Sequence, residues 1–193
     1  MADVNKLMPH IIQWESGQKQ KARETTEDYF NRSKNTAYAN DKDDTGGPTM
    51  MGVTIGTFTA YKRKKGLRAP SVQELKDLDY DTWVDILKPL YWDKWKADQI
   101  ANQSVADLLV DWYWGSGDNA IVFPQKILRV TADGVVGPKT LAAVNDYTPQ
   151  SELFDLIFKR REQFYYNIVK SRPSQKKWLN GWLNRLYEIK FQK

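Results

Sequence analysis

The chain has 193 residues, no cysteine, one histidine and a formal net charge of +5. The absence of cysteine excludes a disulfide framework and a thiolate metal site, and the lone His10 excludes any mechanism or metal cage that needs two histidines. Eight Trp, ten Tyr and seven Phe suit both an aromatic core and platforms on which sugar rings stack, while the modest basic excess suits a polyanion such as bacterial cell wall, an anionic membrane or nucleic acid.

Val4, Leu7, Met8, Ile11 and Ile12 recur at helical spacing, and the next place on their stripe falls at Glu15. Pro9 is expected to kink this helix or to mark a restart, because proline removes a helix hydrogen bond. Ser16-Gly17 reads as the helix stop, which sets Glu15 near the negative end of the helix dipole and against the apolar stripe and Trp14. Both circumstances favour the protonated carboxyl, the form in which a general acid protonates a leaving-group oxygen. A Glu at the border of an amphipathic stripe is usually solvated or ion-paired, so the functional reading leans on the loop that follows.

Residues 18–40 form a polar excursion with Tyr29, Phe30 and Tyr38 as its large apolar groups, and a short helix is expected around 26–32. Asp41, Asp43, Asp44, Gly46, Gly47, Pro48 and Thr49 follow. Glycines let the backbone come close to a ligand, and the neighbouring Asp and Thr side chains can position water or hydroxyl groups. The pattern lacks the ligand spacing and closing Glu of an EF-hand, so no metal is expected there. A short ribbon near 38–53 is the one strand candidate.

Met51, Val53, Ile55 and Phe58 lead into a helical run through Tyr61, and the cluster Lys62-Arg63-Lys64-Lys65 reads as a solvated face or an anionic-polymer patch. Ser71 and Glu74 have the spacing of a capping box and open a helix expected to include Leu75 and Leu78. Another helix begins near Tyr80 and carries Trp83, Ile86, Leu87 and Leu90, with Pro89 limiting it. Tyr91, Trp92 and Trp95 are spaced either to line a sugar cleft or to pack the core. From Gln99 to Trp114 the pattern predicts a buried helix holding a hydrogen-bonded Asp111 and stopping at Gly115-Ser116-Gly117. Helices over 120–128 and 152–169 and from Trp178 to Leu186 complete the chain, with a turn at Asp133-Gly134 and a helix start at Gly137-Pro138. The expected fold is mainly α, with one shared core.

Taken together, Glu15-Ser16-Gly17, Asp44-Thr45-Gly46-Gly47-Pro48-Thr49 and Gly52-Val53-Thr54 resemble the ordered signature of the phage-type N-acetylmuramidases of glycoside hydrolase family 108. Ser16 stands where that family has a glycine, and the segment between Glu15 and Asp44 is longer than is usual in it. The later groups Asp111-x-x-x-Gly115-Ser116-Gly117, Asp133-Gly134-x-x-Gly137-Pro138-x-Thr140 and Gly181-Trp182-Leu183-Asn184-Arg185 look like the predicted peptidoglycan-binding segment that usually follows.

The resemblance implies a lysozyme-like helical fold, with a catalytic segment over 1–98 and a peptidoglycan-binding segment over 99–193. It implies hydrolysis between N-acetylmuramic acid and N-acetylglucosamine, with Glu15 as the acid and Asp44 and Thr49 as cleft residues that place the attacking water. Which of Asp41, Asp43 and Asp44 supplies a second carboxylate, or whether any does, stays open, as does the stereochemistry. Tyr91, Trp92, Trp95, Gly46, Gly47 and Ser116 are the candidate substrate-binding residues. Bacterial peptidoglycan is the expected partner of a monomer without cofactor. Nucleic acid is not expected, because Lys and Arg are spread along the chain without a reader motif.

No stretch approaches the roughly 20 apolar residues of a membrane span, and the amino terminus lacks a signal pattern. A phage or prophage endolysin, or a secretion-associated wall hydrolase, released to the wall with the help of a holin or secretion system, fits these expectations. A non-catalytic peptidoglycan-binding protein and a lytic transglycosylase remain as alternatives.

Overall fold

The computed structural model describes residues 1–41 and 46–192. Asp43 and Asp44 lie outside the described residues. The chain is mainly α, with three short strands among the described residues, and it forms two compact units: Asn5–Leu90, and Met1–Val4 with Tyr91–Lys193.

Helix α1 (Val4–Ser16) buries the stripe expected of it: Leu7, Met8, Ile11 and Ile12 are all inaccessible to solvent or nearly so. Burying each such side chain is worth about 1.5–3 kcal/mol, which outweighs the single backbone hydrogen bond that Pro9 forgoes. The helix therefore runs through Pro9 without a restart. His10 is half-buried, its ring 6.4 Å from that of Trp14.

The polar excursion contains α2 (Thr26–Ser33), whose N-terminus is capped by Thr25 Oγ1 accepting the Asp28 N–H at 3.1 Å. Its buried Phe30 packs against Trp83 and Tyr80 with ring centroids 5.2 and 5.7 Å apart. Strands β1 (Tyr38–Ala39), β2 (Thr49–Met50) and β3 (Val53–Thr54) form an antiparallel sheet in that order. Met50 faces Val53 in the register, so Met51 and Gly52 make a two-residue hairpin turn. Both have positive φ, 48° and 76°, as a turn matching the strand twist requires. A left-handed Met is unusual, and its surroundings hold it: the side chain is fully buried and its carbonyl accepts the Trp83 indole N–H at 3.0 Å.

Thr54 caps α3 (Ile55–Lys64), and Ser71 and Glu74 form the reciprocal capping box of α4 (Val72–Lys76). That helix stops short of Leu78, because Asp79 already accepts the Thr82 N–H at 2.7 Å to cap α5 (Tyr80–Leu87). Pro89 does not end the run after α5. The chain continues from Lys88 to Trp92 as a π-helical turn, whose wider ladder accommodates a residue lacking an N–H.

The other unit holds α6 (Gln103–Ser116), α7 (Asn119–Ile127), α8 (Pro138–Asp146), α9 (Gln150–Ser171) and α10 (Lys176–Glu188). Helix α6 starts later than Gln99 because Asn102 Oδ1 accepts the Val105 N–H at 3.1 Å, fixing the cap there. Its core face, with Leu108, Leu109 and Trp112, is fully buried along with Leu153 and Ile157 of α9 and Leu186 of α10.

Inside this apolar packing lies an ionic triad. Asp111 is fully buried, and its two oxygens each receive Arg161 or Arg185 at 2.7 Å. Arg161 is also buried and directs further donors to Tyr165 Oη at 2.7 Å and the Leu108 carbonyl at 3.5 Å. One carboxylate thereby ties α6 to α9 and α10.

The second motif of this unit has a similar explanation. Gln125 of α7 is fully buried; the two hydrogens of its amide nitrogen are shared among Asp133 Oδ1, the Val135 carbonyl and Thr140 Oγ1, and its oxygen accepts the Gly134 N–H at 2.9 Å. Asp133, Gly134 and Thr140 are thus held in place by one amide, with Pro138 opening α8 at its first turn.

Candidate active site

Glu15 is the penultimate residue of α1 and is half-buried. Gly17 ends the helix with φ of 71°, its N–H returning to the Gln13 carbonyl at 2.8 Å. Ser16 is buried between them; its hydroxyl donates to the Ile12 carbonyl at 2.7 Å and accepts the Gln18 N–H at 3.1 Å. A glycine at this position would lack both bonds, so Ser16 stiffens the turn immediately after the carboxylate.

The excursion is clasped onto this turn. The Thr36 hydroxyl donates to the Ser16 carbonyl at 3.0 Å, and the buried Tyr29 hydroxyl donates to the Gln18 carbonyl. Burial pushes the Tyr29 hydroxyl up to about 12, which keeps it a donor throughout the working range. Arg32 grips both oxygens of Glu24 at 2.7 and 2.9 Å and reaches the Lys19 carbonyl at 2.9 Å. That guanidinium, helped by the Lys21 N–H, holds the Glu24 carboxyl at about 2. The next residue after Thr36 continues the path, since the Ala37 carbonyl accepts the Met51 N–H of the hairpin at 3.4 Å. Residues 36 and 37 consequently join the end of α1 to the sheet.

Thr49 opens β2, half-buried, and its hydroxyl donates to the Gly47 carbonyl at 2.9 Å. With its proton so committed, Thr49 Oγ1 is left as an acceptor. Gly47 adopts φ of 66°, a conformation that by itself calls for glycine, and among the described residues a Cβ there would meet only Ile55 Cγ2 at 3.9 Å. Gly46 is half-buried beside it. Asp41 is described and half-buried, whereas Asp44 falls outside the described residues.

The remaining candidates lie in the other unit. Trp92 and Trp95 are both fully buried, and the Trp92 indole donates to Asp98 Oδ1 at 2.6 Å. A fully buried ring presents no face to a sugar, so in this structure these two belong to the packing. Tyr91 is half-buried and meets Trp114 at 4.5 Å and Tyr113 at 5.8 Å between ring centroids. Tyr113 and Trp114 were not among the sequence candidates. Their signal was their place on α6: they lie off the buried face that Leu108, Leu109 and Trp112 define. Ser116 ends α6, half-buried, two residues beyond Trp114.

Half of the basic run is neutralised locally, Lys62 by Glu74 at 3.0 Å and Lys65 by Asp85 at 2.5 Å, while Arg63 and Lys64 are exposed. Among the described residues no three carboxylate or histidine groups gather as metal ligands, and no helix is long and apolar enough to cross a membrane.

Residues 8–117, more than half of the chain, match the family model for glycosyl hydrolase 108. Residues 119–187 match the model described as a predicted peptidoglycan domain. A solved structure of Brucella abortus SagA is similar with 27% identity and a TM-score of 0.73, over 95% of this chain and 89% of that one. No curated protein matches the chain at a significant level.

Proposed function

Because this chain belongs to the glycosyl hydrolase 108 family, we propose that it is an N-acetylmuramidase that cleaves between N-acetylmuramic acid and N-acetylglucosamine with Glu15 as the general acid. At the coarser level it is a glycoside hydrolase with a mainly α, lysozyme-like fold, and the peptidoglycan domain that follows marks peptidoglycan as its substrate.

The observation that carries the finer reading is the construction around Glu15. It combines a half-buried carboxyl at the dipole-negative end of a buried helix, a turn locked by Ser16 and Gly17, and a tie through Thr36 and Ala37 to the sheet that carries Thr49. Such an acid delivers its proton to the glycosidic oxygen as the bond breaks. Thr49 contributes by accepting a hydrogen from water: a water that donates to Thr49 Oγ1 turns a lone pair away from it, free to attack the sugar. Asp44 is assigned the companion role of activating that water, from the motif it shares with the family. The half-buried Tyr91, with Tyr113 and Trp114 against it, offers an aromatic surface for a sugar ring.

The test is mass spectrometry of fragments released from purified peptidoglycan by the parent protein and by Glu15→Gln. Reducing muramic-acid ends from the parent, with release slowed about 10²–10⁴-fold in the variant, is the expected result. Anhydro-muramic ends would make the protein a lytic transglycosylase, and equal rates from both proteins would remove Glu15 from the mechanism.

A further inference from the structure

Four arginines among the described residues are buried or half-buried: Arg32, Arg160, Arg161 and Arg185. Three of them are paired with carboxylates, Arg32 with Glu24 and the other two with Asp111. Arg160 differs. Among the described residues it makes no hydrogen bond or ion pair, and its guanidinium carbon instead lies 3.6 Å from the centroid of the Phe123 ring. The residues one turn away on α9, Leu156, Ile157, Gln163 and Phe164, include no acid. Lys126, one turn along α7 from Phe123, brings a second cation to 5.6 Å from the same ring. Phe164 flanks the ring at 5.7 Å, leaving a half-exposed aromatic floor beneath two positive charges.

A partly desolvated guanidinium without a counter-charge is costly, and burial alone lowers its proton affinity from the ordinary arginine value. An anion would supply the missing charge, because the outer edge of a guanidinium stacked on a ring keeps its N–H groups available for a carboxylate. The glycan of peptidoglycan is neutral at its N-acetylglucosamine units, and its muramic carboxyls are consumed in amide bonds to the stem peptides. The carboxylates of an uncrosslinked stem peptide are the anions that accompany this substrate, and its alanine methyl groups suit a phenyl floor.

We propose that Arg160 and Lys126, over Phe123 and Phe164, form a binding site for the carboxylates of peptidoglycan stem peptides. The site lies within residues 119–187, apart from Glu15 and Thr49 in the chain, and it rests on the reading of peptidoglycan as substrate. It gives the peptidoglycan domain a defined ligand, the peptide of the wall instead of its sugar.

The experiment titrates the full chain, Arg160→Gln and Lys126→Gln with a peptide-bearing disaccharide muropeptide and with the same disaccharide whose muramic carboxyl is capped as a simple amide in place of the peptide. Thermal melts accompany each variant; Lys126 is exposed, so its substitution keeps the test valid if the Arg160 variant melts early. Weakening of muropeptide binding by about tenfold or more in Arg160→Gln and by less in Lys126→Gln, with peptide-free binding unchanged, is expected from losing a charged hydrogen bond. Muropeptide binding equal to the parent in both variants would overturn the proposal. So would stronger competition by poly(glycerol phosphate) than by the muropeptide, which would make the site one for wall phosphates. Release of wall fragments by the parent is measured in parallel: intact hydrolysis with unaltered muropeptide binding in the variants refutes the peptide site alone, whereas absent hydrolysis refutes the muramidase reading.

Discussion

Thr49 is the residue whose proposed role can be separated most cleanly from structure. Its hydroxyl donates to the Gly47 carbonyl, so the oxygen reaches a water only as an acceptor. Thr49→Ser keeps the hydroxyl and is expected to keep most of the activity. Thr49→Val preserves the branched shape of a strand residue and removes the oxygen; turnover should fall at least about tenfold with KM little changed, because a water-placing group acts on the transition state more than on binding. Steady-state kinetics on solubilised glycan strands checks this, and a Val variant that turns over like the parent would leave Thr49 a purely structural strand residue. Ser16 shows how a departure from the family pattern can be physically sensible. Its hydroxyl makes two hydrogen bonds that the family's glycine cannot.

The unit that holds Glu15 carries a built-in acid sensitivity. The clasp of α2 relies on Glu24, and the cap of α4 relies on Glu74, whose carboxyl is held at about 2 by the Ser71 N–H together with Lys62 and Arg68. Both folded values are depressed from the ordinary 4.5. A depressed carboxyl contributes stability that is fully present above its unfolded value and is lost as the pH falls toward the folded one. The melting temperature should therefore decline between about pH 4.5 and pH 2. Substituting either residue with Gln should lower the plateau near neutral pH and flatten that decline, as read by thermal melts across the window; an unchanged slope in the double variant would show that other carboxylates govern acid unfolding. Simple helix rules gave way at one proline and held at the other. Pro9 sits amid buried neighbours that hold α1 together, whereas α5 stops at Leu87, ahead of Pro89, and the chain goes on as a wider π-helical turn.

Taken as a chain, the protein has two compact units, each with its own means of holding its helices. In Met1–Val4 with Tyr91–Lys193 the means is the Asp111 triad, which joins residues 50 and 74 positions apart in sequence. Asp111→Ala would leave two cations without their counter-charge, one of them fully buried, and is expected to cost about 3–5 kcal/mol in unfolding free energy. Urea denaturation measures it. A loss below about 1 kcal/mol would mean that water or rearrangement compensates the arginines, and that the triad contributes geometry without stability.

Much of this was legible without coordinates, for a physical reason. Helix positions, the Ser71 and Glu74 capping box, the Gly137-Pro138 start and the alignment of Glu15 with an apolar stripe all follow from interactions within a few residues, where periodicity and side-chain chemistry are sufficient. The order of the motifs likewise pointed to the family before any geometry was known. Tertiary structure alone decided which aromatics were spent on packing: Trp92 and Trp95 are buried, while Tyr91 shares a half-exposed cluster with Tyr113 and Trp114. It alone also assigned Asp111 to Arg161 and Arg185, gave Gln125 the task of holding the Asp133 turn, and left Arg160 without a carboxylate among the described residues. Burial and charge pairing depend on residues brought together from distant parts of the chain, and no local pattern encodes that meeting.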